Sequence, residues 1–247
     1  MSNNLVGKRA LVTGGSRGIG AAIALALAEN GADVALTYQH AADKAQAVVA
    51  SIEKLGRRGV AIQADAADPS AIKRSVEEAA RALAGLDILV NNAAIARYNS
   101  IADFKLEDID ALLAVNVRGP VLATQAAIPH LGAGSRVITI GSAGAERIVG
   151  TPGTVYYMTK SALQSFTRGL AQELGPKDIT ANLVQPGSTD TEMNPANGES
   201  ADFQRSLMPL GRFAEPADIA AAVVFLASPA ARHVTGTILT VDGGLLA

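Results

Sequence analysis

The chain has 247 residues, of which 49% are hydrophobic and 18% charged, and its formal net charge is −2. This balance predicts a sizeable buried core and offers no excess positive charge for binding nucleic acid or an acidic membrane surface. The absence of cysteine excludes disulfides and thiolate catalysis, and three scattered histidines give no basis for a metal site.

The first eight residues are short and polar, without the basic start and apolar run of a signal peptide. No apolar run approaches the roughly 20 residues that a membrane-spanning helix needs. We therefore expect a cytoplasmic protein with neither a membrane nor a nucleic-acid partner.

Short apolar segments alternate with longer, alanine-rich segments of helical period. The predicted strands are 9–13, 33–38, 59–63, 87–91, 136–140, 180–184 and 237–241. The predicted helices are 18–30, 42–56, 69–84, 106–131, 154–175 and 215–228. Because the strands are nearly continuous apolar runs, both faces of their sheet should be covered. The pattern predicts one α/β domain over 1–247, a Rossmann-type doubly wound parallel sheet of about seven strands flanked by helices.

The longest stretch without a clear period is 185–212, which follows a late strand and is rich in proline and glycine. Long irregular segments in such positions often close over a bound substrate, so we interpret 185–212 as a substrate lid. A surface loop without function is the alternative.

A glycine-rich turn directly follows the first predicted strand, with the spacing G-x-x-x-G-x-G. Glycine allows a tight turn and a close backbone approach to a pyrophosphate, and the next helix offers free N–H groups to phosphates. Such a turn alone can be a plain strand–helix connection, but its place in the first β–α unit favours dinucleotide binding. The predicted contacts are Gly14, Ser16, Arg17, Gly18, Ile19 and Gly20.

The end of the second strand indicates which dinucleotide is bound. The sequence there is Thr37-Tyr38-Gln39-His40, without the carboxylate that would accept hydrogen bonds from the adenosine ribose of NAD. The Arg17 guanidinium can instead hold a 2′-phosphate by paired hydrogen bonds. We therefore favour NADP(H), with NAD(H) possible; a solvated surface arginine is the alternative for Arg17.

Further motifs follow in order: Asp65 after the third strand, Asn91-Asn92-Ala93-Ala94 after the fourth, Asn116, Ser142, Tyr156-x-x-x-Lys160, Pro186-Gly187 and Val241-Asp242-Gly243-Gly244. With the glycine turn, this series resembles the short-chain dehydrogenase/reductase family over essentially the whole chain. The resemblance includes its 3-oxoacyl-carrier-protein reductase-like and cyclic-di-GMP-binding, biofilm-dispersal-like members. It implies NAD(P)-dependent hydride transfer at a carbonyl or secondary alcohol, in a homotetramer.

The resemblance also implies a catalytic set of Asn116, Ser142, Tyr156 and Lys160. Tyr156 and Lys160 are four residues apart and project from one helix face. The ammonium is expected to lower the phenol pKa, so that Tyr156 can exchange a proton with the substrate oxygen. Tyr157 is the competing tyrosine, but the residue four positions after it is an uncharged serine.

The other two members of the set have alternative interpretations. Ser142 would hydrogen-bond the substrate oxygen, although a serine at a strand end can instead cap the next turn. By the resemblance Asn116 kinks its helix and holds a water that links Lys160 to solvent. A mid-helix asparagine can also simply face water.

The remaining cofactor contacts also come from the resemblance. Asp65 and Ala66 would hold the adenine, Lys160 the nicotinamide ribose, and Thr189 and Thr191 the nicotinamide amide and phosphates. The set beyond the glycine turn is Tyr38, Asp65, Ala66, Asn92, Ala93, Ala94, Tyr156, Lys160, Pro186, Gly187, Thr189 and Thr191.

The substrate wall is expected from 94–98, 143–153 and 193–210, which are mostly apolar with Arg97, Glu146 and Arg147 nearby. Such a lining suits a small-molecule ketone or a 3-oxoacyl thioester. Two alternatives remain open: a nucleotide-binding regulator of the cyclic di-GMP type with little turnover, indicated by 184–198, and a purely structural subunit of an oligomer.

Overall fold

The computed structural model describes residues 4–148 and 152–247. The strands are β1 (Arg9–Val12), β2 (Asp33–Tyr38), β3 (Gly59–Gln63), β4 (Ile88–Asn91), β5 (Arg136–Ile140), β6 (Thr180–Pro186) and β7 (Ile238–Val241). They form one parallel sheet in the order β3-β2-β1-β4-β5-β6-β7. The predicted doubly wound fold is confirmed. Because β1 lies between β2 and β4, a crevice opens at the carboxyl ends of β1 and β4, where such folds bind ligands.

The helices alternate with the strands as predicted, and most differ from the predicted bounds by one or two residues. They are α1 (Gly18–Glu29), α2 (Ala42–Lys54), α3 (Pro69–Ala82), α4 (Leu106–Leu113), α5 (Gly119–Ala127), α6 (Thr154–Leu174), α7 (Ala201–Ser206) and α8 (Pro216–Ala227). The sequence pattern missed the short α7, which lies within 185–212.

The hydrophobic core consists of two layers, one on each face of the sheet. On one face Ile23 of α1 and Val223 of α8 pack with Val12 of β1. On the other, Val76 of α3 packs with Leu11 of β1. Neighbouring strand residues thus point into opposite layers and are both buried, which explains why the strands are apolar throughout.

The predicted helix 106–131 is not one regular helix. It consists of α4, a π-helical turn at Ala114–Arg118, and α5, ending in a 3₁₀ turn at Ile128–His130. Contrary to our expectation, the run Leu106–His130 is long and apolar enough by composition to cross a membrane. It packs against α3 and α6, however. A core helix passes the same test, so the run is weak evidence for a membrane span.

Candidate active site

The glycine turn requires glycine at defined places. Gly14 and Gly18 have positive φ, +65° and +53°. A Cβ on Gly14 would lie 2.9 Å from the Ala93 Cα, and one on Gly20 would lie 2.3 Å from the Gly14 carbonyl oxygen. The helix that follows has no side-chain cap at Arg17, which leaves its first N–H groups available to an anion. This cradle fits a pyrophosphate.

A polar network ties the turn to the neighbouring strands. The Thr13 hydroxyl accepts hydrogen bonds from the backbone N–H groups of Asn92 (2.9 Å) and Ala93 (3.0 Å). The Asn92 amide donates to the carbonyls of Thr13 and Gly14, at 2.9 and 3.0 Å. Gly14 N–H donates to the Thr37 hydroxyl at 3.0 Å. The side chain of Asn92, predicted as a cofactor contact, therefore holds the turn itself, and the prediction overlooked Thr13 and Thr37.

A small pocket lies beside this network, at the proposed adenine end. Its lining includes the predicted contacts Ala66 and Ala93 together with Asn91 and Val115. The Asn91 side-chain oxygen is buried and lacks a hydrogen-bond partner among the described residues. The Asp65 carboxylate accepts a hydrogen bond from Ala67 N–H at 2.8 Å and so shapes the loop after β3. At about 20 Å³ the pocket has room for a water molecule but not for an adenine ring.

The segment after β6 crosses from the strand end to the glycine turn. Gly187 N–H donates to the Val241 carbonyl (2.9 Å), and the buried Thr189 hydroxyl donates to the Gly187 carbonyl (3.2 Å). A Cβ on Gly18 would lie 3.5 Å from the Thr191 methyl, which places Thr191 against the start of α1. The predicted contacts in this segment therefore share the sheet edge with Ser16, Ile19, Tyr38 and Ala94, each at or beside a strand end or the start of α1.

The structure brings the predicted catalytic residues together near the end of β5. Tyr156 and Lys160 are buried side chains of α6. The Lys160 ammonium donates a hydrogen bond to the Ile140 carbonyl, at 3.1 Å. Ser142 accepts one from Gly144 N–H, at 3.2 Å, so the capping bond of the alternative interpretation is present. That bond uses an acceptor position of the hydroxyl, so the Ser142 O–H can still donate.

Burial is the main cause of the pKa shifts of Tyr156 and Lys160. It raises the pKa of Tyr156, with smaller contributions in the same direction from Tyr98 and Tyr157, while a hydrogen bond with Ser142 acts the opposite way. Burial also lowers the pKa of Lys160 to about 8. The expected lowering of the Tyr156 pKa by Lys160 was wrong for the protein alone: loss of water raises that pKa, and the Lys160 ammonium, 6.0 Å from the ring centroid, is not among the groups that shift it. Tyr156 therefore holds its proton at neutral pH.

Asn116 lies in the π-helical turn and is buried, so it does not face water. Its side-chain oxygen accepts from Ile95 N–H at 2.9 Å, and its amide donates to the Ile95 carbonyl (2.9 Å) and the Thr159 hydroxyl (3.1 Å). Thr159 in turn donates to the Tyr156 carbonyl at 2.6 Å. Thr159 thus connects two predicted catalytic residues. Its position three residues after Tyr156, on the same helix face, was the signal in the sequence.

Aromatic rings surround Tyr156 on the predicted substrate side. The Tyr98 and Tyr157 rings pack edge-on against it, with centroids at 5.6 and 5.4 Å. Arg97 pairs with Asp108 at 3.4 Å. Arg147 donates to the Leu245 carbonyl at 2.6 Å. Both arginines expected near the substrate wall thus have partners within the protein. Exposed Ile148, Met193 and Phe203 belong to the predicted apolar wall, whereas Val149 lies outside the described residues.

Residues 14–246 match the family described as "Enoyl-(Acyl carrier protein) reductase". The crystal structure of a short-chain dehydrogenase from Burkholderia cenocepacia in complex with NADP is 56% identical, with a TM-score of 0.98, covering 99% of this chain and 100% of that one. The cyclic-di-GMP-binding biofilm dispersal mediator protein of Escherichia coli is 40% identical over 96% of each chain. The L-rhamnose 1-dehydrogenase (NAD(P)(+)) of a Sphingomonas species is 38% identical over 98% of this chain and 97% of its own.

The chain therefore belongs to the short-chain dehydrogenase/reductase family. It is an NAD(P)-dependent oxidoreductase, as the fold, the glycine turn and these relatives together establish.

Proposed function

We propose that this protein is an NADP(H)-dependent reductase of neutral ketones, working in reverse on secondary alcohols, with Tyr156 as the acid and base. The observation that carries the proposal is the buried Tyr156, close to Lys160 and Ser142, at the sheet edge that also holds the glycine turn. NADP is bound in the Burkholderia relative. Arg17 supplies a cation beside the glycine turn, and the end of β2 lacks a carboxylate.

Each side chain has a defined task. Tyr156 donates its proton to the carbonyl oxygen, where negative charge develops during reduction. The Ser142 O–H, which hydrogen-bonds Tyr156 in the protein alone, donates a second hydrogen bond to the same oxygen. Bound nicotinamide supplies the hydride. Lys160, with an ammonium of lowered pKa, holds the nicotinamide ribose and stabilises the phenolate once the proton has left.

The test is NADPH oxidation, followed by absorbance across a panel of ketones and 3-oxoacyl thioesters and repeated with NADH. We expect Tyr156→Phe to lower turnover by at least about 100-fold while NADPH still binds. Tyr157→Phe is the matched control, since its ring also packs edge-on in this cluster and the residue four positions on carries no ammonium. Turnover retained in Tyr156→Phe would refute the assignment of Tyr156.

The substrate we propose is apolar and uncharged, because the rings of Tyr98 and Tyr157 border Tyr156 and the nearby arginines have other partners. Residues 185–212 would close over it as a lid. Their inner side chains Met208 and Ala201 pack with Ala143 beside Ser142.

A nucleotide-binding regulator is the second candidate, since the Escherichia coli relative is named for cyclic di-GMP binding. Calorimetric titration with cyclic di-GMP distinguishes the two candidates. Tight binding with no ketone reduced by either cofactor would replace the enzyme by the regulator.

We also propose that the protein is a cytoplasmic homotetramer. Exposed apolar side chains on the run Leu106–His130 and on α6 support this assembly: Leu113, Val121 and Met158 are 37%, 40% and 50% exposed. Light scattering tests it, and a monomer at micromolar concentration would contradict it.

A further inference from the structure

A carboxylate lies between two cations at the mouth of the proposed cofactor crevice. Arg17 Nη1 contacts one oxygen of Glu192, at 3.0 Å, and the Lys44 ammonium contacts the other. The three residues come from separate parts of the chain: the glycine turn, the first turn of α2, and the segment after β6. One acidic side chain from the predicted lid thus bridges two basic residues beside β1 and β2.

The two cations stand where a 2′-phosphate would be recognised. Arg17 precedes α1, whose N-terminus faces the proposed pyrophosphate cradle, and Lys44 follows the end of β2 by six residues. In doubly wound folds the adenosine ribose lies beside the end of this second strand. The Glu192 carboxylate offers the cations two acceptor oxygens, as a phosphate would. The pKa of Glu192 is lowered by hydrogen bonds from Lys44 and Arg17, so the group is charged at neutral pH.

We propose that Glu192 tunes the cofactor preference of the enzyme by competing with the 2′-phosphate of NADPH for Arg17 and Lys44. The inference rests on the NADP(H) function proposed above. When the dianionic phosphate binds, Glu192 is displaced, because two anionic groups cannot share this pair of cations without repulsion. Thr191, the neighbouring residue and a predicted cofactor contact, lies against Gly18. Displacement therefore removes the ion pair that links this part of the lid to Arg17 in the glycine turn.

The size of the effect follows from exposure. The side chains of Arg17, Lys44 and Glu192 are 62%, 51% and 55% exposed. Exposed ion pairs are weak and screened by salt. Removing the competitor should therefore tighten the binding of a 2′-phosphate by about two- to fivefold.

The experiment measures dissociation constants rather than turnover. NADPH and NADH are titrated by nicotinamide fluorescence, and 2′,5′-ADP and 5′-AMP, which carry no hydride, by calorimetry. We expect Glu192→Gln to bind NADPH and 2′,5′-ADP about two- to fivefold more tightly, with NADH and 5′-AMP unchanged. Glu199→Gln, an exposed carboxamide substitution on the same segment, is the control. The gain should shrink at high salt and vanish when Arg17 and Lys44 are both alanine.

The outcomes separate the two proposals. If the unmodified protein binds 2′,5′-ADP no better than 5′-AMP, the NADP(H) assignment fails. In the other case the unmodified protein prefers 2′,5′-ADP, while Glu192→Gln leaves the affinity for the 2′-phosphate ligands unchanged, lowers it, or changes the affinity for all four ligands equally. In that case only the competition by Glu192 is overturned.

Discussion

Replacing Lys160 by methionine should stabilise the protein while destroying its activity. The Lys160 side chain is 4% exposed, and burial lowers its pKa from 10.5 to about 8. The folded protein therefore binds this proton less tightly than the unfolded chain does. At pH 7 both states are protonated, and the shift corresponds to an unfavourable contribution of about 3 kcal/mol to folding.

Methionine has a similar length and carries no charge, so the variant avoids this cost. It also loses the hydrogen bond to the Ile140 carbonyl, which contributes about 1 kcal/mol. The net gain expected at pH 7 is about 2 kcal/mol in the free energy of unfolding, or about 4–8 °C in Tm.

The pH dependence gives the sharper test. Between pH 8 and 10.5 the unfolded chain holds the Lys160 proton and the folded protein does not, so stability rises with pH in this window. From pH 7 to 9.5 the advantage of Lys160→Met should shrink by about 2 kcal/mol. Urea unfolding of both proteins without cofactor measures this, with Lys177→Met, at an exposed site, as the control. A variant less stable at pH 7, or a difference independent of pH, would refute the reasoning.

Three further substitutions probe the site. Thr159→Ala should lower kcat about five- to tenfold by removing one or two hydrogen bonds that position Tyr156. NADPH affinity should be unchanged and Thr159→Ser should restore activity; steady-state kinetics decide, and full activity in the alanine variant would contradict the role. Gly14→Ala should abolish NADPH binding measured by fluorescence. The control Gly56→Ala, at φ +74° in open space, should keep NADPH binding and lower the free energy of unfolding in urea by only about 1 kcal/mol. Equal NADPH affinities of the two variants would argue against the close approach at Gly14. Tyr98→Ala should admit water and lower the Tyr156 pKa, so that alcohol oxidation begins at lower pH; an unmoved pH–rate profile would speak against burial as the cause.

The sheet and the glycine turn could be predicted because their signals are local. A continuous apolar strand such as β5 indicates burial on both faces of the sheet. Gly14 and Gly18 have positive φ angles, which other residues adopt only with strain. Most of the motifs around Tyr156 follow a predicted strand, and in a parallel sheet the carboxyl ends of the strands lie at the same edge, so these motifs were expected to lie together.

Other features of the site depend on contacts between distant residues. Thr13 and Thr37 are ordinary strand residues in the sequence, and their role appears only when β1, β2 and β4 are adjacent. The Tyr156 pKa was predicted in the wrong direction because charge is legible in a sequence, whereas the burial supplied by Tyr98 and by the rest of the fold is not. The sequence shows the cations Arg17 and Lys44, but it does not show that they share Glu192, which lies 148 residues after Lys44.

The π-helical turn at Ala114–Arg118 changes the direction in which the side chains of α5 project relative to those of α4. In an uninterrupted α-helix Leu112 and Ala123, eleven residues apart, would project almost the same way, since about three turns separate them. The wider turn accommodates an extra residue and rotates the second half by about 100° relative to the first. Leu112 consequently packs with Val155 and Tyr156, while Ala123 packs with the layer that holds α3. The π-helical turn that carries Asn116 thus lets one continuous helical run pack against Tyr156 through Leu112 and against the core layer of the sheet through Ala123.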